Sequence, residues 1–244
     1  MPLLSTFGAA SARSFGGIGA AAAGEVLDID DVFSIDLWTS DGSSTQTINN
    51  NIDLSTEGGL VWIKDRSTAK PSVLVDTARI SGNTDNYLMT NSTNGQTAHS
   101  NEFGNFTSTG YTLPRNTEAG YTNTNTGRDY VGWTWRKAPK WFDCVTWTGD
   151  GTNYRNISHN LGSVPGHIIV KKRSGGSAAG WINWHRTFSD YQSVFLNTTE
   201  AVYSGGSNGG VFGQTSGFTN TQFQLGGPDN ITYHNENNSS YVAY

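Results

Sequence analysis

Two stretches decide how this chain is read: "LWTSDGSSTQTINNNIDLSTEGGLVWIKDR" at 37–66 and "TWTGDGTNYRNISHNLGSVPGHIIVKKR" at 146–173. Each runs from a strand through an Asp-Gly pair and a polar segment into an apolar strand with a basic end. Around the first, "VFSIDLWT" alternates, and Phe33, Ile35 and Leu37 share one face because successive side chains of a strand point to opposite sides. Asp41-Gly42 follows as a tight-turn pair, which predicts a second strand from "TQTINNNIDL". "GLVWIKDR" is apolar without alternation, the pattern of a strand in the middle of a sandwich.

Outward from these stretches the match continues in order. Phe33 and Trp38 recur 109 residues on as Phe142 and Trp147, and Asp41-Gly42 recurs as Asp150-Gly151. Val61-Trp62-Ile63-Lys64 matches Ile168-Ile169-Val170-Lys171, "NYLMTNST" at 86–93 matches "SVFLNTTE" at 193–200, "TSTGYTL" matches "TNTQFQL", and "YVGW" at 130–133 matches "YVAY" at 241–244. The offsets drift by a few residues between strands, so insertions fall in turns while strand order is kept, as in a tandem duplication. Two copies are too few for a solenoid, and each is expected to close around its own core. The expected fold is all-β: two tandem antiparallel β-sandwich domains, 32–137 and 138–244, preceded by an extended Gly/Ala-rich segment, 1–31. Strands are expected at "SVLVDT", "NYLMTN", "TGYTL" and "DYVGWTW", and the hinge at "RKAPKW", where Pro139 stops the last strand of the first copy.

Composition supports folded cores. Eight Trp, ten Tyr and eleven Phe in 244 residues supply far more burial than a disordered chain carries, although only 35% of residues are hydrophobic. With net charge −5 and basic residues clustered only at Arg136/Lys137 and Lys171–Arg173, no footprint for a phosphate backbone exists, so nucleic acid is not an expected partner. The single cysteine, Cys144, sits in "WFDCVTW" and reads as a buried small hydrophobe. The segment 1–24 lacks the basic start and uninterrupted apolar run of a secretory signal, and no run is long enough to cross a bilayer. It reads either as a mobile leader or as a strap lying in a neighbouring subunit's groove, with Leu3, Leu4, Phe7 and Phe15 as anchors.

Chemistry-bearing groups do not converge. Asp36, Glu57, Asp65, Asp76, Glu102, Glu118 and Asp143 are spread over turns and strand ends, so a glycosidase pair is not indicated. The histidines at 99, 159, 167, 185 and 234 show no metal-ligand spacing, and "DIDD" at 28–31 lacks the rest of a calcium loop; no catalytic residue, metal or cofactor is expected. "GWINWHRTF" is the richest stretch for binding. Trp181, Trp184, His185 and Arg186 form a candidate glycan contact, against the competing reading of Trp181 and Trp184 as core residues.

The stretches "GGLVWIKDR", "YVGWTWRKAPKWFD", "ISHNLGSVPGHIIVKKR" and "YVAY", with the opening "MPLLSTFGAASARSFG", resemble a repeat domain of structural proteins from marine, cyanophage-like tailed bacteriophages, tail or tail-fibre type. The resemblance covers nearly the whole chain and is most specific over "ISHNLGSVPGHIIVKKR". It implies a lectin-like or jelly-roll sandwich, and a non-enzymatic virion protein made in the host cytoplasm and placed on the tail or external surface, contributing to host attachment. It further implies docking to other tail or baseplate proteins through 1–31, a homotrimer, and a host surface glycan as a possible ligand. Alternatives are a capsid decoration or head-fibre protein, or a carbohydrate-active enzyme on a sandwich scaffold. The second copy ends abruptly at Tyr244, where the first continues through "GWTWRKAPK", so the natural chain is expected to run further.

Overall fold

The computed structural model describes residues 27–80, 86–98, 101–116, 119–124, 127–176 and 178–244. The anchors Leu3, Leu4, Phe7 and Phe15 lie outside them. The described part of the leading segment is not extended to its end: Ile29–Asp31 forms a 3-10 turn, with the Asp28 carboxylate accepting from the Asp30 amide.

The fold is all-β and antiparallel. One six-stranded sheet runs β1 (Phe33–Thr39), β9 (Asp129–Arg136), β3 (Gly59–Asp65), β4 (Val73–Asp76), β5 (Asn86–Met89) and β6 (Thr97–Ala98). A second runs β10 (Val145–Thr148), β17 (Ser240–Ala243), β12 (His167–Ser174), β13 (Trp181–His185), β14 (Gln192–Phe195) and β15 (Tyr203–Ser204). The two orders correspond strand for strand. Each large sheet is covered by a small one: β2 (Thr45–Asn49), β8 (Gly110–Pro114) and β7 (Phe106–Thr107) over the first, β11 (Asn156–Ser158) and β16 (Gln222–Gln224) over the second.

Between large and small sheets lie two cores built alike. In the first, Trp38 stacks on Tyr130 at 5.6 Å and meets Tyr111 edge-on at 6.4 Å. In the second, Trp147 stacks on Tyr241 at 5.4 Å and meets Phe223 edge-on at 6.1 Å. Val61 and Ile63 of β3, and Ile168 and Val170 of β12, are buried at matching places in these cores. The Asp-Gly turns also match: Gly42 and Gly151 have φ of 76° and 75°, and the Asp41 and Asp150 carboxylates accept the amides of Ser43 and Thr152. The Ser43 and Thr152 side-chain hydroxyls first, and these amides second, hold both carboxyls low, Asp150 down to about 2.

These turns are not hairpins. β1 pairs with β9 and β2 with β8, so each Asp-Gly pair turns the chain from the large sheet to the small one. Phe33, Ile35 and Leu37 do share a face, but it is the one turned away from the first core, and Ile35 and Leu37 are 57% and 66% exposed. The inward face instead carries Trp38 and Asp36, whose carboxylate accepts from Asn50 at 2.8 Å.

A third core joins the two large sheets through their other faces. Leu60, Leu74 and Leu88 of the first meet Trp181 and Val242 of the second, with Trp62, Trp135, Phe142, Ile169 and Tyr244 packed around them. This is why β3 is apolar on both faces: Val61 and Ile63 fill one core, Leu60 and Trp62 the other.

Candidate binding cleft

The third core is fastened by polar contacts that cross from one half of the chain to the other. Asp76 and Arg79 form a fully buried pair at 2.5 Å, and the Tyr244 hydroxyl donates to the same carboxylate at 2.6 Å. Burial pushes the Tyr244 phenol well above its ordinary range. Gln96 Oε1 accepts from Arg79 and from Arg173. Lys171, wholly buried, donates to the Thr93 and Ala179 carbonyls, and burial followed by repulsion from Lys172 lowers its pKa to about 8.

Trp181 belongs to this fastening. It is fully buried, its indole N–H donates to the Met89 carbonyl at 2.8 Å, and its ring stacks on Tyr244 at 6.5 Å. Trp184 points the opposite way from β13 into the second core, 4.6 Å from Phe218. Strand alternation separates the two indoles and burial withdraws both from solvent, so they do not form the surface platform expected for a glycan. His185 and Arg186 are exposed and do reach a recess.

That recess is a cleft of about 500 Å³ at the edge of the third core. Its walls are Trp62 and Trp135 from the first large sheet, the hinge residues Lys140, Trp141 and Phe142, and His167, His185 and Arg186 from β12 and the end of β13. The hinge is a tight turn: Trp141 N–H donates to the Ala138 carbonyl, Pro139 sits second, and Lys140 takes the positive φ of 63° that such a third position demands. Lys140 N–H donates to the Leu161 carbonyl at 2.6 Å, which ties the turn to the second half.

His167 and His185 are cross-strand partners with ring centroids 6.3 Å apart. Desolvation lowers the His167 pKa, the Asn183 side chain opposes this, and His185 adds to it. Arg186 is fixed by its backbone N–H to the Gly166 carbonyl at 3.0 Å, and its guanidinium lies over Gly166, where a Cβ would sit 2.2 Å from Nη2. A smaller hollow of about 80 Å³ behind shares Trp141, Phe142, His167 and Tyr244 and reaches His159 and Phe223 in the second core. Sequence reading missed Trp62, Trp135, Trp141 and Lys140. Trp135 and Trp141 fall where the copies cease to match, and the hinge reads only as a linker until it is seen to turn back on the sheet.

The carboxylates have structural partners. Asp65 accepts the amides of Ser67 and Thr68, Glu102 the amide of Tyr121, and Asp143 meets Lys137 at 2.9 Å and the Asn160 amide. Glu57 is exposed, and Glu118 and His99 lie outside the described residues. None of the cleft-lining residues is acidic. Among the described residues no three His, Cys, Asp or Glu groups converge as a metal set would, and no helix is long and apolar enough to cross a membrane. Cys144 is buried, and burial pushes its thiol up to about 12.

No curated protein and no solved structure matches the chain. A family model does match, over residues 28–244 and thus across both large sheets, and on that match the chain belongs to DUF7483, a domain of unknown function.

Proposed function

We propose that the chain is a non-catalytic structural protein of a bacteriophage virion, tail or tail-fibre type, that contributes to host attachment through the cleft. The observation that carries the non-catalytic part is the deployment of its charged groups. Asp65, Asp76, Glu102 and Asp143 each stabilise a turn or a contact between segments, and none faces the cleft. The virion part rests on the resemblance of "ISHNLGSVPGHIIVKKR", the stretch that builds β11, β12 and the Gly166 side of the cleft. Residues 1–31 attach the protein to other tail or baseplate components, and the sheets project outward.

Immunogold labelling of intact particles tests the location: tail labelling is expected, and head labelling would replace this reading with a decoration protein. Incubation with host envelope glycans tests the chemistry, because new reducing ends that vanish on mutating one carboxylate would make the protein an enzyme. Deleting residues 1–24 should leave the circular dichroism spectrum unchanged and the protein absent from particles.

The homotrimer belongs to the same proposal. Its surface is the apolar edge of β1, Ile35 and Leu37, and its occupant a second copy. The reason is that Ile35 and Leu37 are large apolar side chains left exposed side by side on one face of an edge strand, where a covering copy would remove them from water. Leu37→Glu should shift the sedimentation coefficient to that of a monomer; a wild-type monomer would sink this part.

A further inference from the structure

We infer that the cleft takes an acidic oligosaccharide, its sugar rings packing against the cleft wall of Trp62, Trp135 and Trp141 and a carboxylate reaching Arg186 and Lys140. The inference rests on reading the cleft as a binding site and adds the class of ligand. Three observations carry it.

The first is charge. The chain has a net charge of −5, yet the cleft is lined by Lys140 and Arg186, with His167 and His185 beside them and no acid. The cleft is thus a locally basic place on a chain of net negative charge, and favours an anion. The second is that Arg186 is uncommitted: among the described residues no carboxylate lies within ion-pair distance of it, its backbone is bonded to Gly166, and its guanidinium lies against that bare glycine. A guanidinium in that state suits bidentate recognition of a carboxylate.

The third is the aromatic wall. Trp62 and Trp135 are half-buried at the margin of the third core and Trp141 is 36% exposed, and all three line the cleft, so aromatic surface lies beside the cations. Flat apolar faces next to a few oriented polar groups suit a pyranose, which has an apolar face and a polar edge. The volume of about 500 Å³ falls within the range of small-molecule clefts. A nucleic acid offers rings and anions too, but its continued phosphate chain would gain little from a protein whose net charge is −5.

The test is a titration of the full chain, followed by tryptophan fluorescence and calorimetry, with trigalacturonate, with neutral galactotriose and with a short single-stranded DNA. It is run at low and high salt, about 50 and 500 mM NaCl. Trigalacturonate should bind saturably, and about ten-fold more weakly in Arg186→Gln, in Trp141→Ala and at high salt. The far-UV spectrum of each variant should match the wild type. Equal binding of the two trisaccharides would overturn the acidic class and leave the cleft a saccharide site. Absence of saccharide binding, or binding that neither variant weakens, would overturn the cleft itself, and tighter binding of the DNA would assign it to nucleic acid. Failure of the virion reading, by contrast, would show in the particle and not in this titration.

Discussion

Gly132 shows how the two halves solve one packing problem differently. A Cβ at Gly132 would stand 2.4 Å from the Tyr111 hydroxyl and 2.9 Å from the Trp38 ring. At the matching places the second half has Ala243 and Phe223, so the methyl is present and the hydroxyl is gone. Gly132→Ala should therefore destabilise by about 1 to 3 kcal/mol through overpacking, and adding Tyr111→Phe should recover much of that. Denaturant unfolding of the two single variants and the double variant measures the coupling; strict additivity would refute it. His234 gives a second prediction at this scale. It is fully buried, and burial pushes its pKa down to about 4, partly offset by a Gly227 backbone contact. The unfolded imidazole binds a proton near pH 6.5 and the folded one only near 4, so stability present at neutral pH is lost as pH falls between those values. The loss amounts to roughly 3 kcal/mol and then levels off. His234→Gln should flatten most of that slope, leaving what His159 and His167, also lowered by desolvation, contribute.

β13 and β4 hold the contact between the large sheets, and the strongest element-scale predictions fall there. Asp76→Ala should cost about 3 to 5 kcal/mol, because it leaves the wholly buried Arg79 without its carboxylate. Trp181→Ala should cost a similar amount, about 3 to 5 kcal/mol, by opening a cavity between the sheets. Thermal melts at neutral pH check both. Trp181 also marks where sequence reading stopped. The strands, the Asp-Gly turns and the equivalence of β3 with β12 were legible because alternation, turn chemistry and internal sequence similarity each leave a local mark. Which face of β1 turns inward was not, since Ile35 and Leu37 look like core beside Asp36 until Asn50 is seen to satisfy the carboxylate. The third core was illegible for a related reason. Leu60, Leu74 and Leu88 are apolar residues in apolar strands, and nothing local says that their second face meets another sheet. Of the candidate site, His185 and Arg186 were found as a polar pair beside tryptophans, but the tryptophans that line the cleft come from distant strands and from the hinge.

Over the whole molecule, the third core makes the halves interdependent. A single calorimetric transition is expected in the wild type, with van't Hoff and calorimetric enthalpies equal, and two transitions in a Leu74→Glu variant that spoils the contact between sheets. Two transitions in the wild type would show that the cores melt independently. The placing of β9 and β17 bears on a different property, resistance to tension. Each of these late strands lies between two others of its sheet, β17 between β10 and β12, and Tyr244 adds its bond to Asp76 across the third core. An edge strand peels away one hydrogen bond at a time. A pull on β17 must instead shear two ladders together, and Tyr244 passes part of the load to the other sheet. A load applied through β17 therefore meets more resistance than one applied to an edge strand, and a Tyr244→Phe variant should rupture at lower force when β17 is loaded in single-molecule pulling.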